Sequence, residues 1–96
     1  MELTLIARFR AREGQEAALA GLLREQVGPV RNEPGCIEID AYGSLRDPKL
    51  FFIHSRWKDE AAFEMHAQLP RTLRFVERAE TLIDHPFDAN RTARLR

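Results

Sequence analysis

The chain has 96 residues, and its 15 basic and 15 acidic side chains leave a formal net charge of zero at neutral pH. This length predicts a single domain, residues 1–96, and the charge balance argues against nucleic-acid and membrane-surface partners, which attract basic proteins. Cys36 is the only cysteine, which excludes an intrachain disulfide and a thiolate metal cluster. Since neither a signal-peptide pattern nor an apolar run of the about 20 residues that span a bilayer is present, the expected location is cytoplasmic.

The first half of the chain predicts two strands separated by a helix. Residues 2–10 alternate between apolar and polar side chains, as a half-buried strand does. Over residues 15–30 the apolar side chains recur at helical spacing, and a Glu-Pro-Gly sequence at 33–35 ends that helix. Residues 36–42 alternate again and predict the second strand.

The second half predicts a strand, two helices and a last strand. Residues 50–57 form the third strand, and residues 59–67 form a short helix that begins at an aspartate, a good N-cap. Residues 70–85 predict a helix with proline in its first turn and an apolar stripe that starts at Leu73. Residues 87–95 alternate again. This order is typical of an α+β fold, a ferredoxin-like split βαβ unit with a four-stranded antiparallel sheet.

The third strand is apolar on both faces, which a sheet covered by helices on one side only does not require. Leu50 and Phe52 lie on one face, and Phe51, Ile53 and Trp57 lie on the other. We expect the helices to cover the face of Leu50 and Phe52, and a second copy of the chain to cover the face of Trp57. The predicted assembly is therefore a homodimer.

Three histidines are the candidates for acid–base chemistry. His66 comes three residues after Phe63, so it lies on the apolar side of the short helix, where a lone ionisable group could act on a ligand. The alternative is a packed, hydrogen-bonded core histidine. His54 shares a face with Phe52 and is expected to point into the same helix-side cavity, whereas His85 is expected to complement a helix end. No two histidines have the i, i+4 spacing of a helical metal site, so no metal is predicted.

Four short segments resemble the antibiotic biosynthesis monooxygenase family, and the resemblance extends over nearly the whole chain. They are residues 11–14 (AREG), 33–36 (EPGC), 57–61 (WKDEA) and 66–70 (HAQLP), the last of which is followed by Phe75. Members of this family are dimeric α+β barrels. Within the family, the chain is most similar to the quinol monooxygenases.

The resemblance implies catalysis without a metal, a flavin or another cofactor. A quinol or a polycyclic phenol would lose a proton, and its electron-rich anion would react directly with dioxygen. The resemblance makes His66 the proton acceptor or the group that orients the substrate, while Arg71, or alternatively Arg74, stabilises the anionic oxygen. The apolar walls of the cavity are then Phe52, Phe63 and Phe75.

The chain differs from known family members at two sets of positions. Arg71 stands where many members of this branch carry a second histidine, and an arginine cannot act as a base. Ala7, His66 and Val76 occupy the positions of the asparagine, tryptophan and histidine of haem-degrading relatives, which argues against haem degradation.

Two other functions remain open. One is a non-catalytic dimeric protein that binds a small molecule, and the other is an isomerase of small hydroxycarbonyl compounds in which His66 shuttles a proton. A large apolar pocket would favour an aromatic substrate, and a small pocket rimmed by arginines would favour a polar one.

Overall fold

The computed structural model describes residues 1–96, in which three helices cover one face of a four-stranded antiparallel sheet. The elements are β1 (Leu3–Arg10), α1 (Glu16–Val30), β2 (Cys36–Gly43), β3 (Leu50–Trp57), α2 (Glu60–Ala67), α3 (Pro70–Glu80) and β4 (Asp88–Thr92). The strand order is β2-β3-β1-β4, which confirms the predicted ferredoxin-like α+β fold. None of the helices combines the length and the apolar composition needed to cross a membrane.

The core lies between the sheet and the helices and contains 18 buried apolar residues. β1 contributes alternate side chains from Leu3 to Phe9, because side chains two apart in a strand share a face. α1 contributes a stripe at helical spacing that ends at Val30. Trp57 and Phe9 are fully buried, and burial of a large apolar side chain contributes roughly 1.5–3 kcal/mol. The helices are therefore held to this one face of the sheet.

The pairing of β3 with β1 shows that the predicted facing of β3 is wrong. Leu5 pairs with Ser55 and Ala7 with Ile53, and residues directly opposite in an antiparallel pair project to the same face. Because Leu5 and Ala7 are buried under the helices, Ile53, Ser55 and Trp57 also face the helices. Phe52 and His54, one residue out of phase, lie on the open face of the sheet. Both faces of β3 are apolar in sequence, and the polar Ser55 falls in the buried row, so the pattern alone favoured the wrong face.

α3 ends at Glu80, earlier than the sequence pattern predicts. The segment after it leaves helical geometry because its backbone hydrogen-bonds to the end of β1, where Asp84 N donates to the carbonyl oxygen of Arg10 at 3.0 Å. His85 consequently lies beyond the helix rather than at its end. These bonds join residues far apart in the chain, which is why helical periodicity did not reveal them.

The buried side of α3 differs from the predicted stripe at its first position. Leu73 is 52% exposed, and Thr72 is buried in its place. Phe75 and Ala79 are buried, and Phe75 packs edge-to-face against Phe9, with ring centroids 6.2 Å apart. Because the inner residue is a polar threonine and the outer one a leucine, the pattern of apolar residues predicted the wrong start.

Candidate active site

The helices and the inner face of the sheet surround a cavity of about 150 Å³. Eleven of its 15 lining residues are hydrophobic. The polar ones are Gln26, Ser55, His66 and Thr72. An apolar cavity with a few convergent polar groups is typical of small-molecule sites.

α2 positions His66 at this cavity. The carboxylate of Asp59 accepts a hydrogen bond from Ala62 N at 2.8 Å and so caps the first turn of the helix. Phe63 packs edge-to-face on Trp57, with centroids 5.8 Å apart. Three residues after Phe63, the imidazole of His66 lies 4.7 Å from the Trp57 ring, tilted by 31°. The cap and the aromatic contacts together determine where the imidazole lies.

Glu33 binds the imidazole of His66 from the loop between α1 and β2. Its Oε1 lies 2.7 Å from Nδ1 of His66, and the two side chains are only 7% and 11% exposed. In a neutral imidazole this contact places the proton on Nδ1, because a carboxylate can only accept a hydrogen bond. Nε2 then carries a free lone pair and has no protein hydrogen-bond partner. His66 is therefore prepared to accept a proton from a molecule in the cavity.

Gly35 allows the loop that carries Glu33 to approach α2 closely. Its φ of +81° is a conformation that favours glycine, and a Cβ atom built on it would lie 2.5 Å from Cβ of Ala62. Lys58 N also donates to the carbonyl oxygen of Gly35 at 2.9 Å. The Glu-Pro-Gly sequence thus ends α1 and also brings Glu33 to His66.

Arg71 contacts Glu33 and does not line the cavity. Its Nη2 donates to Oε2 of Glu33 at 2.7 Å, so the carboxylate holds His66 with one oxygen and Arg71 with the other. A charge-assisted hydrogen bond of this kind fixes the position of the carboxylate. The sequence predicted that Arg71 would contact a substrate oxygen in the cavity. In the structure its guanidinium contacts Glu33 instead.

The other residues predicted for the site fall in three different places. Phe63 and Phe75 line the cavity, as predicted. Phe52 and His54 project from the opposite face of the sheet, so their predicted placement in the cavity is wrong. Arg74 lies in a surface groove between α1 and α3. The cavity therefore brings together His66 and two of the predicted aromatic walls, and the arginines remain outside it.

Cys36 adjoins this site without a role in its chemistry. Partial burial raises the pKa of the Cys36 thiol, and the negative charge of Glu33 raises it further, while Arg31 lowers it slightly. A raised pKa leaves little thiolate at neutral pH, and the thiolate is the nucleophile. This environment therefore argues against a nucleophilic role for Cys36.

Sequence reasoning did not identify Glu33 as a functional residue. Glu33 and His66 are 33 positions apart, and a glutamate before Pro-Gly is an ordinary helix terminator. One signal was present, because Glu33 belongs to a segment on which the family resemblance rests. Only the folded arrangement shows that the carboxylate is buried against an imidazole.

Comparisons with known proteins agree with this fold. The sequence profile of the family described as "Antibiotic biosynthesis monooxygenase" matches residues 3–78. Rv0793 of Mycobacterium tuberculosis is 30% identical over 84 residues, which cover 88% of this chain and 82% of that protein. Its solved structure superimposes with a TM-score of 0.92, at 27% identity, over 100% of this chain and 97% of the other.

Two further solved structures are similar to this chain in fold. PA3566 from Pseudomonas aeruginosa has a TM-score of 0.89 and 36% identity, over 99% of this chain and 95% of that one. SnoaB from Streptomyces nogalater has a TM-score of 0.88 over 99% of this chain and 94% of that one, but its 16% identity establishes a shared fold alone. The match over residues 3–78 and the similarity to Rv0793 show that the chain belongs to the antibiotic biosynthesis monooxygenase family.

Proposed function

We propose that the protein is a cofactor-independent monooxygenase that acts on a quinol or another electron-rich hydroxylated aromatic. The observation that carries the proposal is the Glu33–His66 pair at an otherwise apolar cavity. Glu33 orients the imidazole, and Nε2 accepts the phenolic proton of the bound substrate. A core histidine could also bind Glu33, but His66 additionally lines the cavity and has no protein partner on Nε2.

The size of the cavity favours a substrate with one aromatic ring. A cavity of about 150 Å³ accommodates a molecule the size of benzene, whereas sites for drug-sized ligands measure about 300–1,000 Å³. The arginines lie outside the lining, so a small phosphorylated substrate is disfavoured. Of the expected substrates, a monocyclic quinol fits better than a polycyclic phenol.

In the proposed reaction the substrate supplies all the electrons. Proton transfer to His66 leaves an electron-rich anion, and a ring carbon of this anion forms a bond to dioxygen. The O–O bond and the C–H bond at that carbon then break, one oxygen atom stays on the ring and the other leaves as water. A quinol and one dioxygen thus give a hydroxyquinone and one water. The apolar walls exclude bulk water from the anion.

The name of one relative supports this assignment, since Rv0793 is named provisionally as a monooxygenase. SnoaB, described as a cofactor-independent oxygenase, shows only that the shared fold can hold such chemistry. The same fold supports several chemistries, so the proposal depends on the Glu33–His66 geometry of this chain and not on the likeness alone.

Oxygen uptake by the chelator-treated protein tests the proposal. We expect uptake above autoxidation with methylated or methoxylated monocyclic quinols and little uptake with polycyclic phenols. His66→Ala should lower kcat/KM by roughly 100- to 10,000-fold, the usual contribution of a general base. His85→Ala is the matched control, because His85 contacts Asp84 outside the cavity, and it should keep the wild-type rate. Binding of quinols without uptake would instead favour the non-catalytic binding protein.

We also propose that two copies pair through the open face of the sheet. Ile6 and Tyr42 are 41% and 52% exposed on this face, and Phe52 lies beside Tyr42 across the β2–β3 ladder. Apolar side chains grouped on an exposed sheet face are typical of an interface. Sedimentation should give a dimer for the wild-type protein and a monomer for Ile6→Glu, whereas a monomeric wild-type protein would contradict the pairing.

A further inference from the structure

One polar side chain of the cavity has no partner in the protein. Gln26 lies in the apolar stripe of α1, between buried leucine and valine residues, and is only 6% exposed. It lines the same cavity as His66. Its amide group makes no hydrogen bond to another residue.

The other polar residues of the lining are hydrogen-bonded or lie near a partner. Nδ1 of His66 contacts Glu33, the hydroxyl of Ser55 accepts from Nε1 of Trp57 at 3.0 Å, and Oγ1 of Thr72 lies 3.4 Å from Nδ1 of His66. Buried polar side chains usually have a hydrogen-bond partner in the protein or in what occupies the space beside them. The amide of Gln26 is therefore placed for a partner that is not part of the chain.

The surroundings of Gln26 favour the orientation in which its NH₂ group faces the cavity. Gln26 and Phe75 line both the cavity and the outer groove between α1 and α3, so they form the wall between the two. The groove also contains three arginines: Arg71 pairs with Glu33, Arg78 pairs with Glu25 at 3.7 Å, and Arg74 has no acidic partner. The positive charge of Arg74 favours the amide oxygen on the groove side and the N–H donors on the cavity side.

We propose that Gln26 binds the anionic oxygen of the deprotonated substrate by donating an amide N–H to it. This inference rests on the proposed function and makes the preferred ligand of the cavity a phenolate rather than a phenol. A neutral donor inside an apolar cavity stabilises a developing negative charge more strongly than water-exposed groups do. His66 takes the proton, and Gln26 holds the oxygen that loses it.

Binding of 4-nitrophenol tests the inference without oxygen chemistry. This single-ring probe is coloured only as the phenolate, so titration against pH gives separate affinities for its two forms. We compare the wild-type protein with Gln26→Met, which keeps the length and removes the donors, and with Gln26→Glu, which adds a negative charge. Arg24→Gln is a control on the exposed side of α1.

Gln26→Met should lose about tenfold to a hundredfold in phenolate affinity, the usual effect of a hydrogen bond to a charged group, and keep its affinity for the neutral phenol. Gln26→Glu should lose more, and Arg24→Gln should match the wild type. The melting temperature of Gln26→Met should equal or exceed that of the wild type, because no hydrogen bond within the protein is lost and a methionine costs less to bury than an amide. A structural glutamine would give the opposite shift.

Two results would overturn the inference: failure of the wild-type protein to bind the probe, or equal phenolate selectivity in the wild type and Gln26→Met. A failure of this inference can be distinguished from a failure of the proposed oxygenase activity. Uptake that depends on His66 together with unchanged selectivity in Gln26→Met would remove only the role of Gln26. Phenolate selectivity that depends on Gln26, without any oxygen uptake, would remove only the oxygenase.

Discussion

The candidate chemistry rests on three side chains in contact, His66, Glu33 and Arg71. The largely buried carboxylate of Glu33 bridges the imidazole and the guanidinium, at 2.7 Å from each. A carboxylate that orients an imidazole and stabilises its protonated form is a recurring device of general-base catalysis. Arg71 in turn holds the second oxygen of Glu33 in place, so we assign it a positioning role.

Replacing Glu33 by glutamine tests the orienting carboxylate. The amide oxygen of Glu33→Gln can still accept from Nδ1, but the negative charge that stabilises the protonated imidazole is lost. We expect kcat/KM for quinol oxidation to fall by about 10- to 100-fold, as it does for comparable supporting hydrogen bonds. Glu25→Gln, an exposed carboxylate on α1, is the control. A wild-type rate in Glu33→Gln would show that the carboxylate does not support the base.

Replacing Arg71 distinguishes a positioning residue from one that binds substrate. Because Arg71 reaches the imidazole only through Glu33, Arg71→Ala should reduce kcat/KM less than Glu33→Gln, and the apparent KM should change little. The three variants therefore rank His66→Ala, Glu33→Gln and Arg71→Ala in order of decreasing loss. If Arg71→Ala raised KM and matched the loss of His66→Ala, Arg71 would instead touch the substrate.

At the scale of elements, the site depends on the close contact between the α1–β2 loop and α2. The loop supplies Glu33 and the helix supplies His66, while Gly35 and Ala62 form the contact that sets their separation. In a close-packed contact, a slightly larger side chain displaces the neighbouring element. The backbone at Gly35 thus helps to set the separation of Glu33 and His66.

Alanine at position 35 tests this contact, with position 14 as a matched control. Both glycines have positive φ, +81° at Gly35 and +82° at Gly14, but a Cβ atom at Gly14 would meet nothing within 4 Å. Gly14→Ala should cost about 1–2 kcal/mol of unfolding free energy from backbone strain alone. Gly35→Ala adds a steric clash and should cost about 1–3 kcal/mol more, measured by urea unfolding, with loss of activity at temperatures where it remains folded. Equal destabilisation by the two variants would contradict the close contact.

At the scale of the whole molecule, Arg10 joins segments that lie far apart in the chain. Its guanidinium contacts Asp47 in the β2–β3 turn at 2.6 Å and Asp84 after α3 at 3.5 Å. The pKa of Asp47 is lowered by a hydrogen bond from the backbone of Lys49 and then by Arg10. The pKa of Asp84 is lowered chiefly by His85. Both carboxylates are therefore more acidic in the folded state than in the unfolded chain.

Because these pKa values are lowered on folding, the protein is expected to lose stability in acid. The unfolded chain binds more protons, so the stabilisation is present above the ordinary aspartate pKa of about 3.9 and is lost as the pH falls through the folded-state values. We expect the melting temperature to fall steeply below about pH 4 and Asp47→Asn to flatten part of that fall. Glu77→Gln, an exposed carboxylate, should keep the wild-type slope. An unchanged slope in Asp47→Asn would contradict the role of this ion pair.

Local patterns predicted the order of elements and the type of fold, since alternation, helical spacing and caps depend on neighbouring residues. They failed where contacts between residues far apart in the chain determine which side chains are buried together. The pairing of Ala7 with Ile53 fixes which face of β3 is buried, and this pairing placed His54 outside the cavity. The contact of Glu33 with His66 is likewise a product of the fold. His66 itself was predictable, because its position on an apolar helix face is a local property.

The proposed chemistry requires Glu33 to hold His66 with its proton on Nδ1 and to leave Nε2 free for the substrate. Nitrogen-15 NMR of the labelled protein at alkaline pH, where imidazoles are neutral, reads the tautomer directly. The chain has only three histidines, so His66→Gln identifies the signal. We predict the Nδ1-protonated form for His66 and loss of that preference in Glu33→Ala. An Nε2-protonated His66, or a tautomer unaffected by Glu33→Ala, would contradict the account.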